Sequence, residues 1–243
     1  MRDFFTALYM SLKMFTVLPL PQGRWEDALR RRATACLPLV GLVLGGLWWG
    51  LSALARTILP GGLAAALVAA LPFLLTGFMH LDGFMDASDA MLSWREREAR
   101  LKILKDVHVG SFSVVALGLL FMFQFGACLS LKALFPLLLI PLISRAGSAL
   151  SVMLIRPLGH SQYAAAGEDF PAGAPAVALT AIAALILLAV FGGARGLLSG
   201  LAAMAGYAAA MLWCVRTLGG VSGDLCGYAL TISELCGLIA LAI

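Results

Sequence analysis

Long apolar segments separated by short polar ones run the whole length of the chain. A helix needs about 20 apolar residues to cross the hydrocarbon core of a bilayer. Segments of about that length cover residues 34–55, 61–80, 109–131, 133–154, 174–194, 196–215 and 225–243. The pattern predicts an all-α fold, a polytopic integral membrane helix bundle with about seven transmembrane helices, in which residues 1–243 form a single membrane-embedded domain.

The stretch MRDFFTALYMSLKMFTVLPLPQ, residues 1–22, mixes apolar and polar positions ahead of the first apolar segment. Lys13 interrupts its apolar run and no small-residue cleavage site follows, which is not the pattern of a signal peptide. We expect an N-terminal amphipathic or re-entrant helix that lies against the membrane. Pro19 and Pro21 should end this helix, because proline cannot continue one.

The composition excludes an ordinary soluble domain. Hydrophobic residues make up 61% of the chain and charged residues only 12%, whereas soluble domains carry about 25% charged residues. The net charge of +4 comes without interleaved basic and aromatic residues, so no nucleic-acid partner is expected. The five cysteines are scattered through apolar segments without a CxxC pair, which is typical of small buried side chains rather than disulfides.

Basic residues are concentrated in two connections and nearly absent from the alternate ones. The rich connections contain Arg24, Arg30, Arg31 and Arg32, and then Arg95, Arg97, Arg100, Lys102 and Lys105; the poor ones contain Arg56, Lys132 and Arg195. Connections rich in Lys and Arg stay on the cytoplasmic side of a membrane. We therefore expect these connections, the acids near residues 80–106 and the polar loop 156–173 to face the cytoplasm.

Three carboxylates follow the second apolar segment within HLDGFMDASDAML, residues 80–92. If this stretch continues the preceding helix, Asp82, Asp86 and Asp89 form one stripe, because residues three and four apart lie on one helix face. Such carboxylates repel one another unless a cation compensates them, and Mg²⁺ takes carboxylate oxygens and substrate phosphates. The stripe predicts a Mg²⁺ site, with small neighbours at Gly83 and Ala87 leaving room for a large ligand.

The next polar segment, ARLKILKDVHVGSFS, supplies further candidates. Asp106 is expected to bring a fourth carboxylate to the site, while Lys105, Arg95 and Arg97 are expected to hold phosphate oxygens. Carboxylates, a metal and cationic side chains suit phosphoryl transfer. Three alternatives stay open from the residues alone: a solvated acidic face, a cation-transport pathway, and ordinary loop charge at Arg95 and Arg97.

A late segment, LGGVSGDLCG, places an acid among glycines on the same predicted side of the membrane. The functional interpretation is a second substrate site that includes Asp224. The alternative is close helix packing through the glycines, with Asp224 capping the start of a helix.

Taken together, three motifs carry a resemblance to a known family. GFMHLDGFMDASDAML, LKILKDVHVGSF and RTLGGVSGDLCGYALTISEL are similar to those of the cobalamin synthase family, the adenosylcobinamide-GDP ribazoletransferases. FTVLPLP near the start and LPLVGLVLGG in the first span extend the resemblance over essentially the whole chain. The chain departs from the family pattern at Ala90, His108, Ser222 and Tyr228, and none of these departures removes a carboxylate.

The resemblance implies a Mg²⁺-dependent transferase of cobalamin biosynthesis in the bacterial inner membrane. Members of the family join α-ribazole, or its 5′-phosphate, to adenosylcobinamide-GDP, form adenosylcobalamin or its phosphate, and release GMP. By this resemblance the catalytic candidates are Asp82, Asp86, Asp89 and Asp106, of which the first three are the metal ligands. The substrate-binding candidates are His80, Gly83, Lys105, Asp224 and Glu234 by the resemblance, and Arg95, Arg97 and His108 from the residues themselves.

Two other functions are compatible with acids on membrane helices. One is a CDP-alcohol phosphotransferase-like enzyme, although this chain lacks the D-G-x2-A-R run of that class. The other is a cation-coupled transporter. A transporter needs acids near the midplane of the membrane, whereas the acids of this chain are predicted at its edge. Membrane lipid and the two small substrates are the expected partners, and the sequence leaves open whether copies assemble into a homo-oligomer.

Overall fold

The computed structural model describes residues 1–159 and 173–243, so most of the predicted loop 156–173 lies outside the described residues. The described residues form helices and no strand. They are α1 (Arg2–Phe15), α2 (Arg30–Ala35), α3 (Leu37–Ile58), α4 (Gly61–Leu75), α5 (Met79–Leu92), α6 (Arg97–Ile103), α7 (Ser111–Ser130), α8 (Ile140–Leu154), α9 (Ala174–Leu218) and α10 (Gly223–Ala242). The predicted all-α class is confirmed.

Several of these helices are long and apolar enough to cross a membrane. Five described segments qualify, and the bent pair α4 and α5 makes a sixth if it counts as one span. They are Leu37–Ile58, Ser111–Ser130, Phe135–Leu154, Ala174–Leu218 and Gly223–Ala242. Many large side chains on α7 and α9, such as Met122 and Val190, are exposed. An apolar surface of this extent is suited to lipid rather than to water, so the chain is a membrane protein.

Helix α9 contains two of the predicted spans, 174–194 and 196–215. Its 45 residues would measure about 68 Å as one straight helix, roughly twice the thickness of the hydrocarbon core. The backbone breaks at Gly193, whose φ of 62° is left-handed. A β-carbon on Gly196 would lie 2.5 Å from the carbonyl oxygen of Leu188. The second half of α9 therefore folds back against the first.

The predicted span 61–80 does not continue straight into the acidic stretch. Helix α4 ends at Leu75, and α5 leaves it at an angle of 90°. Gly77 and Phe78 lie between them with φ values of 60° and 63°, and left-handed residues of this kind end helices. The expectation of one continuous helix was wrong, but residues 80–92 lie within α5, so the helical spacing of the acids holds.

Helix α10 lies at the centre of the bundle. It packs against α5, α7, α8 and α9, and most of its residues are buried. One apolar cluster joins α10 to α5 and to the end of α9 through residues such as Phe84, Leu218 and Leu225. This cluster fixes α5 against α10, and it therefore fixes the acids that these two helices carry.

The N-terminal stretch forms helix α1, as predicted, with one buried and one exposed face. Ala7, Met10 and Ser11 are buried, whereas Phe4 and Phe5 are exposed. The helix ends at Phe15, ahead of the prolines, and the following residues are extended. That α1 lies against a membrane stays a prediction.

Candidate active site

The three predicted acids lie along α5 with increasing burial. Asp82 is exposed, Asp86 is half-buried, and Asp89 is only 9% exposed. The carboxylates of Asp82, Asp224 and Asp89 all act electrostatically on Asp86. The structure therefore brings four carboxylates together, Asp86 and three around it, and the fourth is Asp224 rather than the expected Asp106. We call these four residues the carboxylate cluster.

Asp224 reaches the cluster because α5 and α10 approach closely. A β-carbon on Gly83 would lie 2.8 Å from the Cα atom of Asp224, and Ala87 is fully buried. These small residues make room for α10, so the expectation that they leave space for a ligand was wrong. Asp224 lies in the first turn of α10, whose N-cap is Ser222, with its hydroxyl accepting a hydrogen bond from the backbone N–H of Leu225.

Adding a methyl group at Gly83 should force α5 and α10 apart. We expect Gly83→Ala to lower the free energy of unfolding by about 1–3 kcal/mol, the usual cost of overpacking a filled interior. Gly50→Ala on α3 is the matched control, because a β-carbon there meets nothing within 4 Å and alanine favours a helix by up to about 1 kcal/mol. Thermal unfolding in detergent micelles measures both, and equal midpoints would contradict the close contact.

Asp89 connects α5 to the start of α7. Its two carboxylate oxygens accept hydrogen bonds from the backbone N–H groups of Gly110, at 2.7 Å, and Ser113, at 2.9 Å. A negative charge at this position also complements the helix dipole of α7. Because each oxygen accepts a backbone N–H group, Asp89 is an anchor for α7, and its expected role as a metal ligand stays a prediction.

Substitution at Asp89 should therefore reduce stability in proportion to the acceptors that are lost. We expect Asp89→Ala to lower the free energy of unfolding by about 2–3 kcal/mol, because it leaves two N–H groups without their acceptor. Asp89→Asn keeps one oxygen and should cost about half as much. Equal stability of the alanine variant and the parent protein in thermal unfolding would show that Asp89 does not hold α7.

Two of the arginines near the cluster make contacts with helix ends. Arg97 donates a hydrogen bond from its Nε to the carbonyl oxygen of Leu218 at the end of α9, at 2.9 Å. Arg100 donates to the carbonyl oxygen of Met91 near the end of α5, at 2.9 Å. The other predicted phosphate-binding residues, Arg95 and Lys105, are exposed in the connection between α5 and α7.

Asp106 and His108 form a pair with each other. Nδ1 of His108 lies 2.7 Å from the carboxylate of Asp106, which also accepts the backbone N–H of His108. These hydrogen bonds hold the pKa of Asp106 below its ordinary value, so this carboxyl group is ionised at neutral pH. Both residues are exposed, and the structure does not bring Asp106 among the carboxylates that act on Asp86.

Glu234 lies inside the bundle, where it pairs with an arginine that sequence reasoning missed. Arg145 on α8 donates from a guanidinium N–H to Glu234, at 2.6 Å, and the two side chains are only 3% and 7% exposed. Ser144 donates to the same carboxylate oxygen at 3.0 Å. Arg145 is the one basic residue in the segment 133–154. A lone charge in an apolar span, for which a buried partner is expected, is the pattern that could have identified it.

His80 lies two residues before Asp82 on α5, beside the end of the N-terminal helix. Its ring stacks on Phe15, with 6.4 Å between ring centroids, and its backbone lies beside Gly227 of α10. Its Nδ1 atom is buried without a hydrogen-bond partner among the described residues. The expected role of His80 in substrate binding stays a prediction.

The cluster offers the right donors for a magnesium ion without forming a complete cage. Across residues 1–159 and 173–243, no group of three or more His, Cys, Asp or Glu side chains is arranged to hold a metal ion. Mg²⁺ is usually held by one or two carboxylates, water and substrate phosphates, so such a group is not required. Asp82 and Asp86 form no ion pair with a basic side chain in the described part. Their charges are therefore available to a cation.

Comparison with known proteins agrees with the motifs. The family model described as cobalamin-5-phosphate synthase matches residues 7–242. An adenosylcobinamide-GDP ribazoletransferase of Clostridium perfringens is 36% identical over 250 residues, covering 100% of both chains. The protein of that name in Deinococcus radiodurans is 35% identical, over 95% of this chain and 83% of its own. The one in Geobacillus thermodenitrificans is 33% identical, over 93% and 91%. No solved structure matches significantly.

Proposed function

The chain belongs to the cobalamin-5-phosphate synthase family, and we propose that it acts as an adenosylcobinamide-GDP ribazoletransferase, with its chemistry at the carboxylate cluster. The enzyme transfers the adenosylcobinamide-phosphate moiety of adenosylcobinamide-GDP to α-ribazole or α-ribazole 5′-phosphate. The products are adenosylcobalamin, or its 5′-phosphate, and GMP. The main support for placing the reaction at this site is that Asp82, Asp89 and Asp224 lie around Asp86.

The reaction exchanges one phosphorus–oxygen bond for another. A hydroxyl oxygen of the ribazole ribose, the 3′-hydroxyl in our scheme, bonds to the phosphorus that carries cobinamide. The bond from that phosphorus to the oxygen of the departing GMP breaks, and GMP keeps the electron pair. The hydroxyl proton passes to a carboxylate, for which Asp86 and Asp224 are the candidates because Asp224 acts on Asp86 across the contact between α10 and α5.

Magnesium is the cofactor that we propose for this site. Asp82 and Asp86 would hold the ion, since both are free of basic partners in the described part of the chain. When bound, Mg²⁺ neutralises the pyrophosphate and stabilises the charge that develops on the leaving group. Without a cation, the carboxylates repel a substrate that is itself anionic.

We also propose that the chain lies in the bacterial inner membrane and that the carboxylate cluster is on the cytoplasmic side. Arg97 and Arg100 contact helix ends beside the cluster, in the connection that is richest in basic residues. At the other end of the bundle Arg56, in the last turn of α3, is the one basic residue of α3, α4 and their connection, and it donates to the carbonyl oxygen of Leu131. Basic connections favour the cytoplasmic side, where soluble nucleotide substrates are available.

The two alternative functions have less support. The family match covers residues 7–242, and the relatives named above carry the name of the ribazoletransferase. Neither the CDP-alcohol phosphotransferase class nor a transporter is favoured by these findings.

The proposed function and its metal are tested with purified protein in lipid nanodiscs. We expect GMP to appear only when adenosylcobinamide-GDP, α-ribazole and Mg²⁺ are all present. Chelation with EDTA should reduce the rate at least about a hundredfold, since the metal supplies several kcal/mol of charge stabilisation, and added Mg²⁺ should restore it. GMP release at an unchanged rate after chelation would contradict the metal, and no GMP under any condition would contradict the function.

A further inference from the structure

A polar cavity lies next to the carboxylate cluster, inside the bundle. Its volume is about 130 Å³, and its walls come from α1, α3, α5, α8 and α10. The polar side chains that line it are His80, Arg145, Ser148 and Asp224. Phe15 of the N-terminal helix and Leu37 of α3 line it with apolar surface.

Three of the polar lining residues have buried atoms without partners. Nδ1 of His80 and Nε of Arg145 make no hydrogen bond within the described residues, and Oγ of Ser148 has the hydroxyl of Tyr207 nearby but outside good hydrogen-bond geometry. Arg145 is only 2% exposed, so bulk water does not compensate its Nε. A buried polar atom without a partner typically costs about 1–3 kcal/mol, and the three atoms line one cavity. Together they point to a ligand that hydrogen-bonds to all of them.

The charges around the cavity exclude an anionic group as the best ligand. The guanidinium of Arg145 is already paired with Glu234, and Asp224 contributes a further carboxylate to the wall. The described charged residues that line or touch the cavity therefore sum to one negative charge, which would repel a phosphate. The unpartnered atoms offer hydrogen-bond donors and acceptors instead, and these suit neutral hydroxyl groups.

The size of the cavity limits the ligand to a single ring. An apolar cavity of about 150 Å³ accommodates one benzene molecule, so about 130 Å³ has room for one five-membered sugar ring. Asp224 lines the cavity and also acts on Asp86. A sugar in this cavity is consequently adjacent to the carboxylate cluster, where we propose that the reaction occurs.

We propose that this cavity binds the ribose of the acceptor nucleoside, an inference that rests on the proposed function. Ser148, His80 and the Nε of Arg145 hydrogen-bond to the sugar hydroxyls that do not react. The attacking hydroxyl then faces Asp224 and the cluster. The acceptor sugar is thus held by α8 and α5, and the diphosphate of the other substrate lies at the carboxylate cluster.

The test compares two serines on the same helix. Ser148 and Ser151 are both buried on α8 and both lie near the hydroxyl of Tyr207. Only Ser148 lines the polar cavity, whereas Ser151 lines a separate apolar groove. Binding of α-ribazole alone is measured by calorimetry on protein in nanodiscs. We expect Ser148→Ala to weaken it about five- to tenfold, the effect of one lost hydrogen bond, and Ser151→Ala to leave it unchanged.

Steady-state kinetics supply an independent measurement. Ser148→Ala should raise the KM for α-ribazole by the same factor while the KM for adenosylcobinamide-GDP stays within twofold of the parent value. Acceptors that lack the 2′- or the 5′-hydroxyl complete the design. For at least one of them, the loss of affinity in the parent protein should disappear in Ser148→Ala, because the deleted hydroxyl no longer has a partner.

The outcomes separate this inference from the function on which it rests. If GMP is released but Ser148→Ala and Ser151→Ala bind α-ribazole equally well, the cavity holds water and the inference is wrong. The inference would also be wrong if, for both deoxy acceptors, the loss of affinity from the missing hydroxyl simply added to the loss from Ser148→Ala. If the parent protein neither binds α-ribazole nor releases GMP, the proposed function itself fails.

Discussion

Asp86→Asn should reduce the rate of GMP release by about a thousandfold without destabilising the protein. Asparagine has nearly the same shape as aspartate but lacks the charge, so a metal ligand and a candidate proton acceptor are lost together. Removal of one preorganised electrostatic group from an active site costs about 10²–10³ in rate, and the change at Asp86 removes two functions. Asp86 is the member on which the other three carboxylates act.

Stability should respond in the opposite direction to activity. Asp86 is half-buried among carboxylates that repel it, so its neutralisation relieves repulsion in the protein without cation. We expect the thermal midpoint of Asp86→Asn in EDTA to equal or exceed that of the parent. Glu98→Gln is the control, since Glu98 is an exposed acid on neighbouring α6 and should change neither quantity. A variant that keeps a tenth or more of the parent rate would exclude Asp86 from the chemistry.

Arg145→Met should be among the most destabilising single substitutions in the bundle. It removes the positive charge that compensates Glu234, whose side chain is only 7% exposed. Removal of one partner from a buried ion pair typically costs about 3–5 kcal/mol, because the other charge stays buried without compensation. We expect a large fall in the thermal midpoint and a reduced yield of folded protein from membranes.

The double variant Arg145→Met with Glu234→Gln tests whether the uncompensated charge of Glu234 causes this loss of stability. Glutamine can still accept the hydrogen bond from Ser144, and no unpaired charge remains. Replacement of both members of a buried pair by uncharged residues is often close to neutral. The double variant should therefore recover most of the lost stability. If it is as unstable as the single variant, the pair is not the reason for the effect of Arg145→Met.

The sequence predicted the acidic stripe because helical spacing alone places residues 82, 86 and 89 on one face. The same spacing could not show that the carboxylate of Asp89 accepts backbone N–H groups of α7, since the partner is 21 to 24 residues away and its position depends on tertiary packing. Gly83 was misjudged for the same reason. A small residue indicates close approach, and only the fold shows that α10 occupies the space.

The membrane segments were predictable in their position along the chain more than in their shape. The glycine pair at residues 192 and 193 divides the apolar run 174–215, and α9 breaks there. The bend before α5 depends on the left-handed backbone of Phe78, a conformation that a large side chain rarely adopts and that local sequence does not predict. The fourth carboxylate could be predicted only as a residue on the same side of the membrane, because α10 follows α5 by more than a hundred residues.

The buried pair between α8 and α10 has a consequence for biogenesis. Arg145 emerges from the ribosome 89 residues before its acid partner, a delay of about 4–18 s at ordinary rates of synthesis. During that interval α8 carries an uncompensated guanidinium into or beside the bilayer, which is costly in hydrocarbon. Stable integration of α8 thus depends on the last helix of the chain, and a polypeptide that stops short of residue 234 presents an exposed charge that membrane quality-control proteases can recognise.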